Sequence, residues 1–369
     1  MKSTMRRISQ LDGLRGILAL WVVFYHMYGT LPIVKLTITK YLPFITQAWF
    51  TVDVFFVMSG FVMFYVYENT FTTGVNFKKY LNFMRARFSR LYPVHLFTML
   101  LFLVPMSFFL LKDPEFFSWT GRYSIGTFLA SLFFIQSPWF PIRSWNYPNW
   151  SISAEFHAYI IFPLLVPFLQ KVKPSFSFLL ILICQLVVVF LYYSNRGEIE
   201  QYPTNGFFVL FRVIPLFICG IFIFRLWRHD FQVHSLFWIA TIFVLLLLLV
   251  NESVSYFSVL VIPILLITSL NCNLANKILT SRFALFLGSI SYSLYMVHAF
   301  VEGIVIGGFE RILRRVTVVS GYFSSAPLSF VLYFSGVLIS VILAFFTFKY
   351  IELPARKFIN SKLPSHEDK

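Results

Sequence analysis

Residues Phe176–Tyr193 read FSFLLILICQLVVVFLYY, eighteen positions without a charged side chain. As an α-helix this stretch is ~27 Å long, close to the ~30 Å hydrocarbon core of a bilayer. Working outward, similar apolar runs recur near Leu14–Thr30, Ala48–Tyr67, Leu91–Leu111, Trp150–Leu169, Phe207–Phe224, Leu236–Val250, Tyr256–Leu270, Phe283–Ile306 and Pro327–Phe348. Together they predict an all-α polytopic membrane protein with about ten transmembrane helices.

Composition agrees. Hydrophobic residues make up 58% of the 369 and charged residues 12%, where a soluble domain carries about 25% charged. Aromatic residues reach 20%, with 48 Phe, which suits lipid-facing and interfacial positions. The formal charge of +15 does not point to nucleic acid, because no basic groove with interleaved aromatics lies outside the apolar runs. Cys184, Cys219 and Cys272 lack zinc or redox spacing, and no metal is expected. The run after the basic N-terminus contains Arg15 and His26 and no small-residue cleavage site, so it is read as a first helix rather than a removed signal.

An eleventh run, Ile125–Gln136, is twelve residues long and is followed by Pro138, Pro141 and Pro148. With ten crossings and both termini cytoplasmic, inside loops hold 19 Lys/Arg and outside loops 9. If the eleventh run crossed as well, the division would become 13 inside and 15 outside. Positive residues favour cytoplasmic loops, so the segment near 125–136 is expected to be re-entrant or interfacial.

Ionisable groups within spans cost about 2.5–3.5 kcal/mol at a helix centre and mark the first places to look for function. Arg15 and His26 are eleven residues apart in the first run, ~16 Å along one helix face. A long substrate with a charged end fits that arrangement; so does a snorkelling arginine above a packed histidine. Asp53, Glu155 and Arg212 are expected in the same outer layer as His26, either as catalytic partners or as an ion-pair network. Arg85, Arg87 and Arg90 open the third span, where they anchor the cytoplasmic side or capture phosphate. Tyr295 and His298 are expected at mid-membrane, with Glu302 one turn beyond on the face of His298.

Six segments carry a resemblance: LDGLRGILALWVVFYH (Leu11–His26), FFVMSGFV (Phe55–Val62), RFSRLYP (Arg87–Pro93), NWSISAEFHAY (Asn149–Tyr159), GSISYSLYMVH (Gly288–His298) and YIELPARKF (Tyr350–Phe358). In this order they resemble the acyltransferase-3 family of bacterial integral-membrane O-acyltransferases. The resemblance implies a ten-helix domain over residues 1–351, a short cytoplasmic tail over 352–369, and a place in the bacterial inner membrane. It implies that Arg15 engages acyl-CoA, that Arg87 and Arg90, with Arg85 beside them, meet the CoA phosphates, and that His26 is the essential catalytic group. It further implies acceptors such as lipopolysaccharide O-antigen, exopolysaccharide, peptidoglycan or an antibiotic, and a stand-alone class without a fused periplasmic domain. Phe156-His157 after Glu155 departs from many relatives and bears on the acceptor.

The expected reaction moves acetyl from acetyl-CoA, a co-substrate rather than a bound cofactor, to a sugar hydroxyl at the periplasmic side. Neutral His26 is the expected general base, with Asp53 or Glu155 orienting its ring. Trp150, Tyr295 or His298 would meet the developing oxyanion, and Ser151 and Arg212 are further acceptor-side candidates. An acyl-histidine intermediate is a second route. A flippase or transporter for a lipid-linked saccharide is the competing class, disfavoured by the absence of an inverted repeat.

Overall fold

The computed structural model describes residues 7–29, 31–110, 121–140, 145–198, 201–228, 231–309 and 326–361. Met1–Arg6, the span ends Thr30 and Leu111, and the tail residues 362–369 lie outside them. All regular structure among the described residues is helical. The main helices are α1 (Ser9–Met27), α2 (Pro32–Tyr41), α3 (Trp49–Phe71), α4 (Phe77–Leu110), α5 (Ile125–Leu132), α6 (Gln136–Trp139), α7 (Asn149–Leu169), α8 (Ser177–Ser194), α9 (Phe208–Trp227), α10 (Ser235–Val250), α11 (Ile262–Asn271), α12 (Asn273–Leu279), α13 (Arg282–Phe300), α14 (Ala326–Thr347) and α15 (Leu353–Ser361).

Seven helices among the described residues are long and apolar enough to cross a membrane: Trp49–Phe71, Phe77–Ser107, Asn149–Leu169, Pro174–Ser194, Phe208–Trp227, Arg282–Phe309 and Ala326–Ser361. Ser255–Asn271 and Asn273–Leu279 make an eighth only if a pair bent by 87° is one span. A helix occupies each of the ten expected runs. α1, diluted by Asp12 and Arg15, and α10, with 16 residues, fall short of the other spans in apolarity or length. Large apolar side chains such as Phe178, Leu186, Phe190, Phe243, Leu247 and Phe334 stand exposed around the bundle. No water-soluble monomer exposes such a surface, whereas lipid covers it without cost.

The 125–136 run is not one helix. α5 has eight residues, ~12 Å, and is capped by Ser124, whose Oγ accepts from the Thr127 N–H at 3.2 Å. The chain then breaks at Phe134, which has positive φ, and at the extended Ser137. Such a piece is too short to span the hydrocarbon core. α4 is longer than hydropathy suggests. It begins at Phe77 and has 34 residues, ~51 Å, so its arginines occupy the turns before Pro93. Lys78, Lys79 and Asn82 hide this half-helix from an apolarity reading.

Two close helix pairs organise the core. α3 lies against α9, where a Cβ at Gly60 would overlap the Phe217 carbonyl and one at Gly220 the Val57 carbonyl. α1 lies against α13 in the same way, with Gly16 on the backbone of Leu287 and Gly288. Small residues permit such backbone approach inside a membrane. Along α1 and α13 the contacts advance in step, Gly16 with Gly288 and His26 with His298, so the two helices run parallel.

Candidate functional site

The parallel pair α1–α13 presents polar groups at both ends. Near the N-terminal end of α1, the Arg15 guanidinium donates to Ser291 Oγ at 2.9 Å, to Asp12 Oδ1 at 2.9 Å and to the Gly288 carbonyl at 3.5 Å. Arg90 of α4 donates to Glu352 Oε1 at 2.9 Å and lies 5.8 Å over the Tyr292 ring, while Ser293 donates to Glu352 Oε2 at 2.8 Å. Glu352 ends a π-helical segment, Phe348–Glu352, and is 1% exposed. Arg90, Glu352 and Arg7 act electrostatically on Arg15, and Arg356 of α15 is within reach of Arg90, Arg87 and Arg7. The result is a partly exposed basic cluster in which acidic groups offset only part of the charge.

Arg87 is turned toward α3 and α7. It donates to Tyr67 Oη at 3.1 Å and lies 5.9 Å over the Tyr159 ring, while Tyr159 donates to Glu155 Oε1 at 2.5 Å. Glu155 is thereby tied to the arginine end. Arg85 edges a hollow lined by Leu81, Met84, Phe88, Phe156 and Ile359.

At the C-terminal end of α1, the His26 ring lies between aromatic neighbours. Its centroid is 4.6 Å from Tyr25, 4.8 Å from Tyr147 and 5.1 Å from His298. Tyr147 Oη is 3.2 Å from His298 Nε2 and donates to Glu302 Oε2 at 2.8 Å. His298 Nδ1 is 2.6 Å from the Tyr295 carbonyl oxygen. Burial, then the charge of Glu302, holds the Tyr147 phenol well above its usual value, so it stays protonated. Glu302 lies in a second π-helical segment, Val301–Ile306. Such segments are rare and recur at functional sites, because the extra residue re-aims a side chain that a regular helix would point elsewhere.

Between the two ends α13 carries a polar stripe. Ser291, Tyr295 and His298 are all buried, and Tyr295 Oη lies 2.8 Å from Ser151 Oγ at the start of α7. Asp53 and Arg212 form a separate unit, both 0% exposed. Arg212 Nε donates to Asp53 Oδ1 at 2.8 Å, its two amino groups donate to the carbonyls of Pro203 and Trp49, and Tyr192 donates to Asp53 Oδ2 at 2.7 Å. Trp150 lies beside it, its ring 5.0 Å from the Arg212 guanidinium carbon.

The structure thus joins His26 to His298, and Arg15 to Ser291 of α13. It ties Asp53 to Arg212 and Tyr192, and Glu155 to Tyr159. Sequence reasoning did not single out Tyr147, Glu352 or Arg356 as site residues. Tyr147 precedes a helix in a proline-rich loop, and nothing local announces its role. Glu352 and Arg356 were visible within YIELPARKF, but only as parts of a motif.

Among the described residues no group of three or more His, Cys, Asp or Glu is arranged to hold a metal ion. No solved structure matches the chain. It is similar to a Staphylococcus aureus (strain COL) protein whose name reads "Putative O-acetyltransferase", at 23% identity over 96% of this chain and 58% of the relative. It is similar at the same identity to "O-acetyltransferase OatA" of S. aureus (strain NCTC 8325 / PS 47), over 95% of this chain and again 58% of the relative. The chain therefore spans a little over half the length of the curated relatives it matches. The acyltransferase-3 family model, described as an acyltransferase domain, matches residues 8–348, from the start of α1 through the arginines of α4 to the polar stripe of α13 and beyond, and the chain belongs to that family.

Proposed function

We propose that this protein transfers an acyl group, acetyl in the first instance, from cytoplasmic acyl-CoA to a hydroxyl of a cell-surface sugar such as O-antigen or exopolysaccharide. The observation that carries the reading is the placement of polar groups along α1: Arg15 within the basic cluster at one end, His26 within the ring cluster at the other. The two residues are ~16 Å apart along the helix. A phosphate-bearing carrier bound at Arg15 and Arg90, with Arg85, Arg87 and Arg356 around them, would reach His26 with its thioester end. Arginine suits phosphate because its planar fork makes paired, charge-assisted hydrogen bonds. The names of the relatives support acetyl as the group moved.

In this reading the chain crosses the inner membrane ten times with both termini in the cytoplasm, and α5–α6 is re-entrant. His26 takes the hydroxyl proton as the oxygen attacks the thioester carbonyl. Asp53 and Glu155 are already engaged by Arg212, Tyr192 and Tyr159, so Glu302, joined to the neighbours of His26 through Tyr147, takes the orienting role. Tyr295 and Trp150 remain the donors available to the oxyanion, since both ring nitrogens of His298 are engaged.

Mass spectrometry of surface glycans from wild-type, deletion and His26→Ala strains tests the proposal. An acyl-sized mass present only in the wild type, with normal levels of the variant protein, is expected. Identical glycans in all three strains would overturn the sugar acceptor and turn attention to a small hydroxylated molecule or to transport.

A further inference from the structure

Proton inventory of the ring cluster assigns a second acid–base group. The Tyr295 carbonyl can only accept, so His298 Nδ1, 2.6 Å away, carries a proton. His298 Nε2, Tyr147 Oη and Glu302 Oε2 then form a line with separations of 3.2 and 2.8 Å. Two hydrogen bonds along that line need two protons, and the phenol supplies one. The other sits on His298 as an imidazolium facing a carboxylate, or on Glu302 as a carboxylic acid facing a neutral ring. In either form the trio holds one transferable proton, and shifting both protons along the line converts one form into the other. His298 is 0% exposed, whereas Tyr147 and Glu302 are half-buried.

Resting on the transfer reaction proposed above, we infer that Tyr147 is the general acid that protonates the departing CoA thiolate, reloaded from His298 and Glu302. A thiolate released inside a lipid-embedded site has lost its hydration, so leaving as an anion there is costly and a nearby proton donor lowers the barrier. The steps balance. The acceptor oxygen bonds to the thioester carbon while His26 takes the hydroxyl proton. The C–S bond breaks and sulfur takes the Tyr147 proton, which the stored proton replaces. His26, its ring beside Tyr147 and His298, returns the hydroxyl proton to the trio, so ester and free thiol leave with no net proton gained. Tyr147 is the catalytic residue of this step; His298 and Glu302 position and recharge it. The titratable and charged groups facing the trio are His26 and Tyr25 of α1, Tyr295 of α13, and Arg122 before α5.

The test follows radiolabelled acetyl-CoA into the endogenous glycan of membrane vesicles from a deletion strain that expresses the full chain or its variants, across pH. Wild-type transfer should fall on the acid side as His26 gains a proton and on the alkaline side as the trio loses its own. Tyr147→Phe keeps the ring contacts; it should slow transfer about 10²-fold, with KM for acetyl-CoA unchanged and the alkaline limb gone. Glu302→Gln keeps a hydrogen-bonding group without the exchangeable acid and should lose the same limb. A Tyr147→Phe profile that retains its alkaline limb, or a loss expressed only in KM or protein level, overturns the acid role. Wild-type vesicles that move no label would instead overturn the transfer reaction itself.

Discussion

Arg212 shows what one buried residue can require of its surroundings. Three of its nitrogens find acceptors within the protein, and both oxygens of Asp53 are used in return. Removing one partner leaves the other charge unpaired where no water can reach it. Arg212→Met is therefore expected to destabilise the protein by about 3–5 kcal/mol, read as an earlier thermal transition of the detergent-purified chain. Adding Asp53→Leu should recover part of that loss, because the double variant buries no orphaned charge. If the two losses simply add, the pair is not coupled. At this scale the sequence identified the residue types well: Asp53, Glu155, Arg212, Arg15 and His26 were conspicuous because ionisable groups are scarce in apolar runs. Their pairing was not legible. Asp53 and Arg212 are 159 positions apart, and only packing of α3 on α9 brings them within 2.8 Å.

Among the elements, the α1–α13 contact carries the site. Gly16 and Gly288 let the two backbones meet, and that closeness places Arg15 on Ser291 and His26 beside His298. A side chain at Gly16 would overlap backbone atoms of Leu287 and Gly288, which cannot yield as a flexible side chain would. Gly16→Leu should cost about 1–3 kcal/mol or more and abolish acetyl transfer, whereas Ile17→Leu, at a position 38% exposed, should leave both intact. Comparing transfer with melting temperature in the two variants checks this; normal transfer by Gly16→Leu would show that the helices can part without harm. Helix existence was legible from apolar runs, and the shortness of 125–136 from its length and prolines. The early start of α4, the 87° bend between α11 and α12 and the two π-helical segments were not. Bends and bulges answer to neighbouring helices rather than to local apolarity.

For the whole molecule, charge asymmetry of the loops predicts an orientation that can be measured. With Cys184, Cys219 and Cys272 replaced, Lys35→Cys on α2 should react with a membrane-impermeant maleimide in intact spheroplasts. Lys171→Cys, after α7, should react only once the membrane is opened; both positions are exposed. The reverse pattern would invert the proposed topology and with it the side from which the proposed acyl-CoA donor enters. What the sequence determined by itself was the solvent, the helical class and the two poles of α1, because each follows from composition, run length or fixed helical spacing along one segment; the family followed from the resemblance carried by its six ordered motifs. The tertiary structure alone decided which polar groups share a site: Glu352 with Arg90, Tyr147 with His298 and Glu302, and Asp53 with Arg212. Those contacts join residues far apart in the chain, and a one-dimensional pattern records how often apolar groups recur but not which separate elements meet.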